Sequence, residues 1–185
     1  TLDGEDGAPV GGEIEHAQLI AELVMSDANR HDRVGARVVP VAHPKVVLLG
    51  TGKMARIAAG ALRGRASLTL LNRDLRKAQQ VGTDLGGRGE GLARLEASLV
   101  RADVVLAATA SRRPLVTLAL VRRALAKRQG RPLWLIDLGF PRNIDARCRG
   151  LEGVTLTDID GLAPWGLQPL PPAALARAES RIREE

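Results

Sequence analysis

A short apolar run, Val46-Val47-Leu48-Leu49, stops abruptly at Gly50, and Thr51-Gly52-Lys53-Met54-Ala55 then opens a helix-like stretch that continues to Leu62. A continuous apolar run of this length reads as a strand buried on both faces of a parallel sheet. The G-x-G-x-x-A spacing that follows suits a turn against which phosphate can lie. Gly50 allows the tight bend, Gly52 lets backbone approach a pyrophosphate, and the small Ala55 lets helix and strand pack closely. The helix start meanwhile offers N–H groups and the positive end of its dipole. Strand, turn and helix in that order make dinucleotide binding the expectation, ahead of a glycine turn with a purely structural role.

The same rhythm recurs along the chain. Leu68–Leu71, Val104–Ala108, Leu133–Ile136 and Val154–Leu156 are further apolar runs, separated by helix-like stretches at 54–62, 74–85, 92–100 and 117–128. Alternation of this kind over about 110 residues implies right-handed crossovers. The fold class is therefore α/β: a Rossmann-like open parallel sheet with helices on both faces. One link is unclear: Gly86–Gly91 (GGRGEG), where a third strand belongs, has no apolar run. The strand there is either missing or very short.

Flanking this core, residues 1–44 read as an acidic lead-in carrying one amphipathic helix, Glu13–Met25, and then a linker. Residues 163–185 read as a proline-rich connection followed by a helix, Ala173–Glu185. The dinucleotide-binding domain itself is expected over 45–162. The first 33 residues carry eight acidic residues against two arginines, so the rest of the chain holds 25 basic against 13 acidic residues. A basic body of this kind attracts polyanions such as a phosphorylated cofactor or tRNA. With three aromatic residues in all, Trp134, Phe140 and Trp165, stacking platforms for single-stranded nucleic acid are not expected, nor is a DNA partner. No run has the length of a membrane span, and the single cysteine, Cys148, can form no internal disulfide and gives no argument for an oxidising compartment, so a cytoplasmic setting is the default expectation. Metal ligation is not expected, since the cysteine and the three histidines, His16, His31 and His43, show no ligand spacing.

Cofactor choice is read at the end of the second strand, where NAD-binding members of this fold carry an acidic residue for the ribose 2′-hydroxyl. Here that place holds Asn72-Arg73. With no carboxylate to repel a 2′-phosphate and a guanidinium shaped to grip one, NADP(H) is expected over NAD(H). Two more strand ends face the same crevice, Thr109-Ala110 after the fourth strand and Asp137 with Gly139 after the fifth. The expected cofactor-binding set is thus Gly50, Thr51, Gly52, Lys53, Met54, Ala55, Asn72, Arg73, Thr109, Ala110, Asp137 and Gly139.

Taken together, VVLLGTGKMA at 46–55, Asn72-Arg73, Ala107–Ala110 and above all LIDLGFPRNIDARCRGLEGVTLTDIDGL at 135–162 closely resemble the NADPH-binding domain of glutamyl-tRNA reductase. The resemblance implies reduction of the glutamyl ester of tRNA by NADPH to glutamate-1-semialdehyde, the entry to tetrapyrrole (porphyrin) synthesis. It also implies a homodimer built on a long C-terminal helix. In that family a separate N-terminal domain supplies a cysteine that forms a thioester with the substrate. The 44 residues that precede the nucleotide fold here contain no cysteine, and Cys148 lies where the family pattern has no catalytic thiol, so no catalytic residue is assigned. Glutamyl-tRNA becomes a partner only together with such a catalytic domain. Two other readings stay open: a free-standing, non-catalytic NADP-binding module that works by interaction, and another small NADP-dependent dehydrogenase with an unrelated substrate.

Overall fold

The computed structural model describes Val24, residues 43–158 and Gly161. The helices expected over 13–25 and 173–185, Val24 apart, lie outside the described residues, as do His16, His31 and Trp165. Within the described residues six strands alternate with helices. β1 (Lys45–Leu49), α1 (Lys53–Leu62), β2 (Ser67–Asn72), α2 (Leu75–Asp84) and β3 (Arg88–Gly91) form the first half. α3 (Leu95–Arg101), β4 (Val104–Ala107), α4 (Leu118–Lys127), β5 (Leu133–Asp137) and β6 (Val154–Asp158) form the second. Every pairing is parallel, in the order β3-β2-β1-β4-β5-β6.

Alternate residues of each strand enter alternate cores. Val46, Leu48, Leu70 and Leu106 pack on one face with Ala55, Ala58, Ala59 and Leu62 of α1. Val47, Leu49, Val105 and Leu135 pack on the other with Leu99 of α3 and Val121 and Ala124 of α4. Burial on both faces explains why these strands read as unbroken apolar runs, each fully buried Val or Leu contributing about 1.5 to 3 kcal/mol.

The third strand exists, and its composition has a packing cause. α2 lies so close on β3 that a Cβ on Gly89 would fall 2.0 Å from the carbonyl of Ala78, and one on Gly82 would fall 2.6 Å from the backbone of Arg88. Side chains are excluded on that face, so no apolar pattern can develop. β3 is also an edge strand, and Arg88, Glu90 and Arg101 place charges along it, which discourages pairing with another chain.

Helix beginnings differ from one another. Asp74 caps α2 by accepting from the Lys77 amide (3.1 Å), and Thr117 caps α4 by accepting from the Leu120 amide (3.3 Å). No side chain caps α1 at Gly52, and no acid lies in its first turn. The expected helix over 92–100 divides into a 3-10 turn, Leu92–Arg94, and the α-helix proper. Its far end is held by Arg128, 1% exposed, which donates to the carbonyls of Leu99 (2.5 Å), Val100 (3.1 Å) and Ala102 (2.5 Å). No described helix is long and apolar enough to cross a membrane.

Candidate functional site

The strand order reverses direction between β1 and β4, and in open sheets of this kind the crevice beyond that switch point receives ligands. Gly50 sits at its base. Its amide donates to Leu71 O at the end of β2 (2.9 Å), and the Ala108 amide donates to Leu49 O (3.0 Å), so three strand ends converge on the turn. Gly50 has φ +103°, and a Cβ there would fall 2.5 Å from Ala108 O. Only glycine fits. Gly52 presents the opposite case, with open space where its Cβ would be, directly at the uncapped start of α1. A turn closed beneath and open above, at a helix start left without a cap, is the cradle an anionic phosphate group requires.

The side chains around the cradle divide into those that face solvent and those that hold it in shape. Lys53 and Arg73 are exposed and Met54 is half-buried, while Ala55 is 2% exposed against the sheet. Thr51, 4% exposed, turns inward, and its Oγ1 accepts from Asn72 Nδ2 (2.6 Å). Asn72 Oδ1 in turn accepts from the Asp74 amide (3.1 Å). Asn72 thus ties the glycine turn to the start of α2, and Arg73 stands out beyond it at the strand end. Arg56 Nε donates to Thr51 O (3.1 Å), securing the turn from the other side.

Across the crevice, Asp137 is 1% exposed and both its oxygens are engaged by backbone: Oδ1 by the Gly139 amide, Oδ2 by the amides of Asn143 and Ile144, each at 2.9 Å. Burial pushes its carboxyl above the ordinary aspartate range, against the pull of those three amides. Asp137 therefore shapes the loop after β5, on which Phe140 is exposed.

Sequence reasoning missed Asn143. Fully buried, it accepts at Oδ1 from the Thr109 amide (2.7 Å), donates from Nδ2 to Pro141 O (3.2 Å), and its own carbonyl accepts from the amides of Leu115 and Val116. It joins the loop after β4 to the loop after β5. A Cβ on Gly139 would fall 2.5 Å from the Asn143 side chain, which explains the glycine there. Thr109 is half-buried beside Gly50, its Oγ1 accepting from the Ser111 amide (3.2 Å), and Ala110 is exposed. The structure thus sets Gly50, Gly52, Lys53, Arg73, Thr109 and Ala110 at the carboxyl ends of β1, β2 and β4, with Met54 half-buried on α1, while Thr51, Ala55, Asn72, Asp137 and Gly139 are engaged in packing and hydrogen bonds that hold the turn and the loop after β5.

Cys148 is fully buried, and burial pushes its thiol up to about 11. No group of acidic, histidine or cysteine residues suited to a metal ion occurs among the described residues.

Comparison with known proteins adds identity to this geometry. The family model for shikimate / quinate 5-dehydrogenase matches residues 34–164. The chain belongs to that family. Among curated relatives, glutamyl-tRNA reductase of Sorangium cellulosum is 38% identical over 142 residues, 75% of this chain and 27% of the relative. Glutamyl-tRNA reductase of Bacillus subtilis is 35% identical over 119 residues, 63% of this chain and 26% of the relative. The chain thus spans about a quarter of the length of these relatives. A solved structure of glutamyl-tRNA reductase from Methanopyrus kandleri matches 97% of this chain and 41% of its own, at 27% identity and TM-score 0.66. The nucleotide binding domain of the Thermoplasma volcanium glutamyl-tRNA reductase shares the fold, at 18% identity and TM-score 0.55. The resemblance to glutamyl-tRNA reductase read from 46–55 and 135–162 is thereby borne out within the shikimate / quinate 5-dehydrogenase family.

Proposed function

We propose that this chain is the NADP(H)-binding domain of a glutamyl-tRNA reductase-type protein of tetrapyrrole synthesis, serving the reduction of glutamyl-tRNA to glutamate-1-semialdehyde. The observation that carries the reading is the uncapped start of α1 behind Gly50 and Gly52, at the switch point, with Arg73 one residue beyond β2. When bound, the nicotinamide cofactor supplies a hydride equivalent to the substrate carbonyl carbon.

In this reading the chain's own residues bind and orient. The α1 amides and the open backbone at Gly52 receive the pyrophosphate, and the helix dipole favours its charge. Arg73 takes the 2′-phosphate, with no carboxylate at the strand end to oppose it. The backbone of Thr109 and Ala110 and the loop held by Asp137 and Asn143 support the far half of the cofactor. Because Asn143 binds both of these loops, they keep one fixed spacing, as reproducible hydride transfer requires. Cys148 is fully buried and burial pushes its thiol up to about 11, so it is assigned no part in a thioester. That step belongs to a catalytic domain acting with this one, and through it glutamyl-tRNA becomes the substrate.

The family model's name favours a second reading, a dehydrogenase of a shikimate-like hydroxy acid. Curated relatives that are glutamyl-tRNA reductases at 35% identity and above weigh for the first. The two separate in one assay set: the chain with NADPH and glutamyl-tRNA, alone and mixed with the catalytic domain of a relative, and the chain with shikimate and NADP+. Turnover of glutamyl-tRNA only in the mixture is expected. Turnover by the chain alone, or oxidation of shikimate, would overturn the proposal.

A further inference from the structure

α1 begins unlike α2, α3 and α4. Asp74 and Thr117 cap α2 and α4, and Glu96 lies in the first turn of α3. α1 has neither a side-chain cap nor an acid in its first turn, and its sequence KMAR sets Lys53 and then Arg56 at its start. Cations oppose the positive end of a helix dipole, whereas anions are favoured there. The start of α1 is therefore electrostatically unfavourable by itself and becomes favourable once an anion joins it. Arg56 is placed to take part. Side chains on a helix lean toward its N-terminus, and that of Arg56 reaches back past the helix start, where Nε donates to Thr51 O (3.1 Å). Among the described residues no carboxylate pairs with its guanidinium. One edge of the fork is thus fixed to the glycine turn, and both Nη nitrogens carry further donors. The same turn leaves open space at Gly52.

We infer that Arg56 is a pyrophosphate-binding residue, a second guanidinium in the cofactor site with a task different from that of Arg73. The inference deepens the cofactor reading above and rests on it. Arg73, one residue beyond β2, serves the 2′-phosphate that only NADP(H) carries. Arg56, tied to the turn between β1 and α1, serves the pyrophosphate that NADP(H) and NAD(H) share. One arginine selects between the two dinucleotides, and the other raises the affinity for both. The bond to Thr51 O also limits the rotamer freedom that a long exposed side chain loses on binding, which lowers the entropic cost of the contact. Nothing in the G-x-G-x-x-A spacing names this residue, because it falls one position past the pattern.

The test titrates the full chain and its Arg56→Gln variant with NADPH and with NADH, each at about 0.05 M and about 1 M salt. Arg56→Gln should weaken both dinucleotides by the same factor, roughly fivefold to twentyfold at the lower salt. At the higher salt, where the screening length falls to about 3 Å, the loss should shrink to less than about threefold. Arg63→Gln, which removes the same charge just beyond the far end of α1, should change neither affinity. Unchanged affinities in Arg56→Gln would overturn the inference, as would a loss confined to NADPH, which would place Arg56 at the 2′-phosphate. A loss of the same size at both salt concentrations would overturn it in favour of a residue that only holds the turn in shape. An equal loss in Arg63→Gln would overturn it in favour of overall charge. If the parent itself binds neither dinucleotide, the cofactor reading falls and this inference with it, whereas a parent that binds beside an unaffected Arg56→Gln variant removes the inference alone.

Discussion

Asn143 accepts a hydrogen bond from the Thr109 amide across 34 residues of chain (2.7 Å), and this contact couples two loops that face each other over the crevice. Asn143 is fully buried, so Asn143→Ala leaves the Thr109 amide and the Pro141 carbonyl without their partner where water does not replace it. Urea melts should report a loss of about 2 to 3 kcal/mol. Asn143→Asp should cost more at neutral pH, since it buries a second carboxylate beside Asp137. Parent-like stability in both variants would remove Asn143 from the account.

Cys148 offers a direct check on burial. With its thiol pushed up to about 11, only roughly 0.1% is thiolate at pH 8, and the sulfur is inaccessible besides. Reaction with a disulfide reagent should be at least roughly a hundredfold slower in the native protein than in denaturant. Equal rates would mean that the segment after β5 is open in solution.

Asp145 gives the acid limb of stability a specific contributor. The Arg147 side chain, donating at 2.6 Å, and then the Arg147 amide hold its carboxyl down to about 2, from 3.8. A depressed acid pKa stabilises the fold above the unfolded value and loses that contribution as pH falls through the folded one. The urea midpoint of Asp145→Asn should therefore lie below the parent's at pH 5 and converge on it as pH falls to about 2. A gap that stays constant over that range would contradict the pairing.

How much of this was legible beforehand follows from what each element packs against. β1, β2, β4 and β5 are buried on both faces, and their apolar runs announced them within a residue or so. β3 was not legible as a strand, because α2 approaches Gly82 and Gly89 too closely for side chains, and a strand made of RGEG carries no pattern. The glycine turn was readable because backbone geometry constrains Gly50. Asn72 and Asp137 were found by position, but the sequence could not show that their polar atoms are spent on Thr51 and on three loop amides. Asn143 and Arg128 gave no signal at all. Their roles rest on carbonyls and amides distant in the chain, and a lone polar residue among loop residues looks the same whether buried or solvated.

The central claim is that the crevice above Gly50 and Gly52 holds a dinucleotide whose 2′-phosphate is gripped by Arg73. Titrating the full chain and its Arg73→Ala variant with NADPH and with NADH, following nicotinamide fluorescence, tests it most directly. The account predicts tighter binding of NADPH by the parent. It also predicts a loss of about 1.5 to 3 kcal/mol, roughly tenfold to a hundredfold, for NADPH alone in the variant. Equal affinity for the two dinucleotides in the parent, or equal losses in the variant, would contradict it.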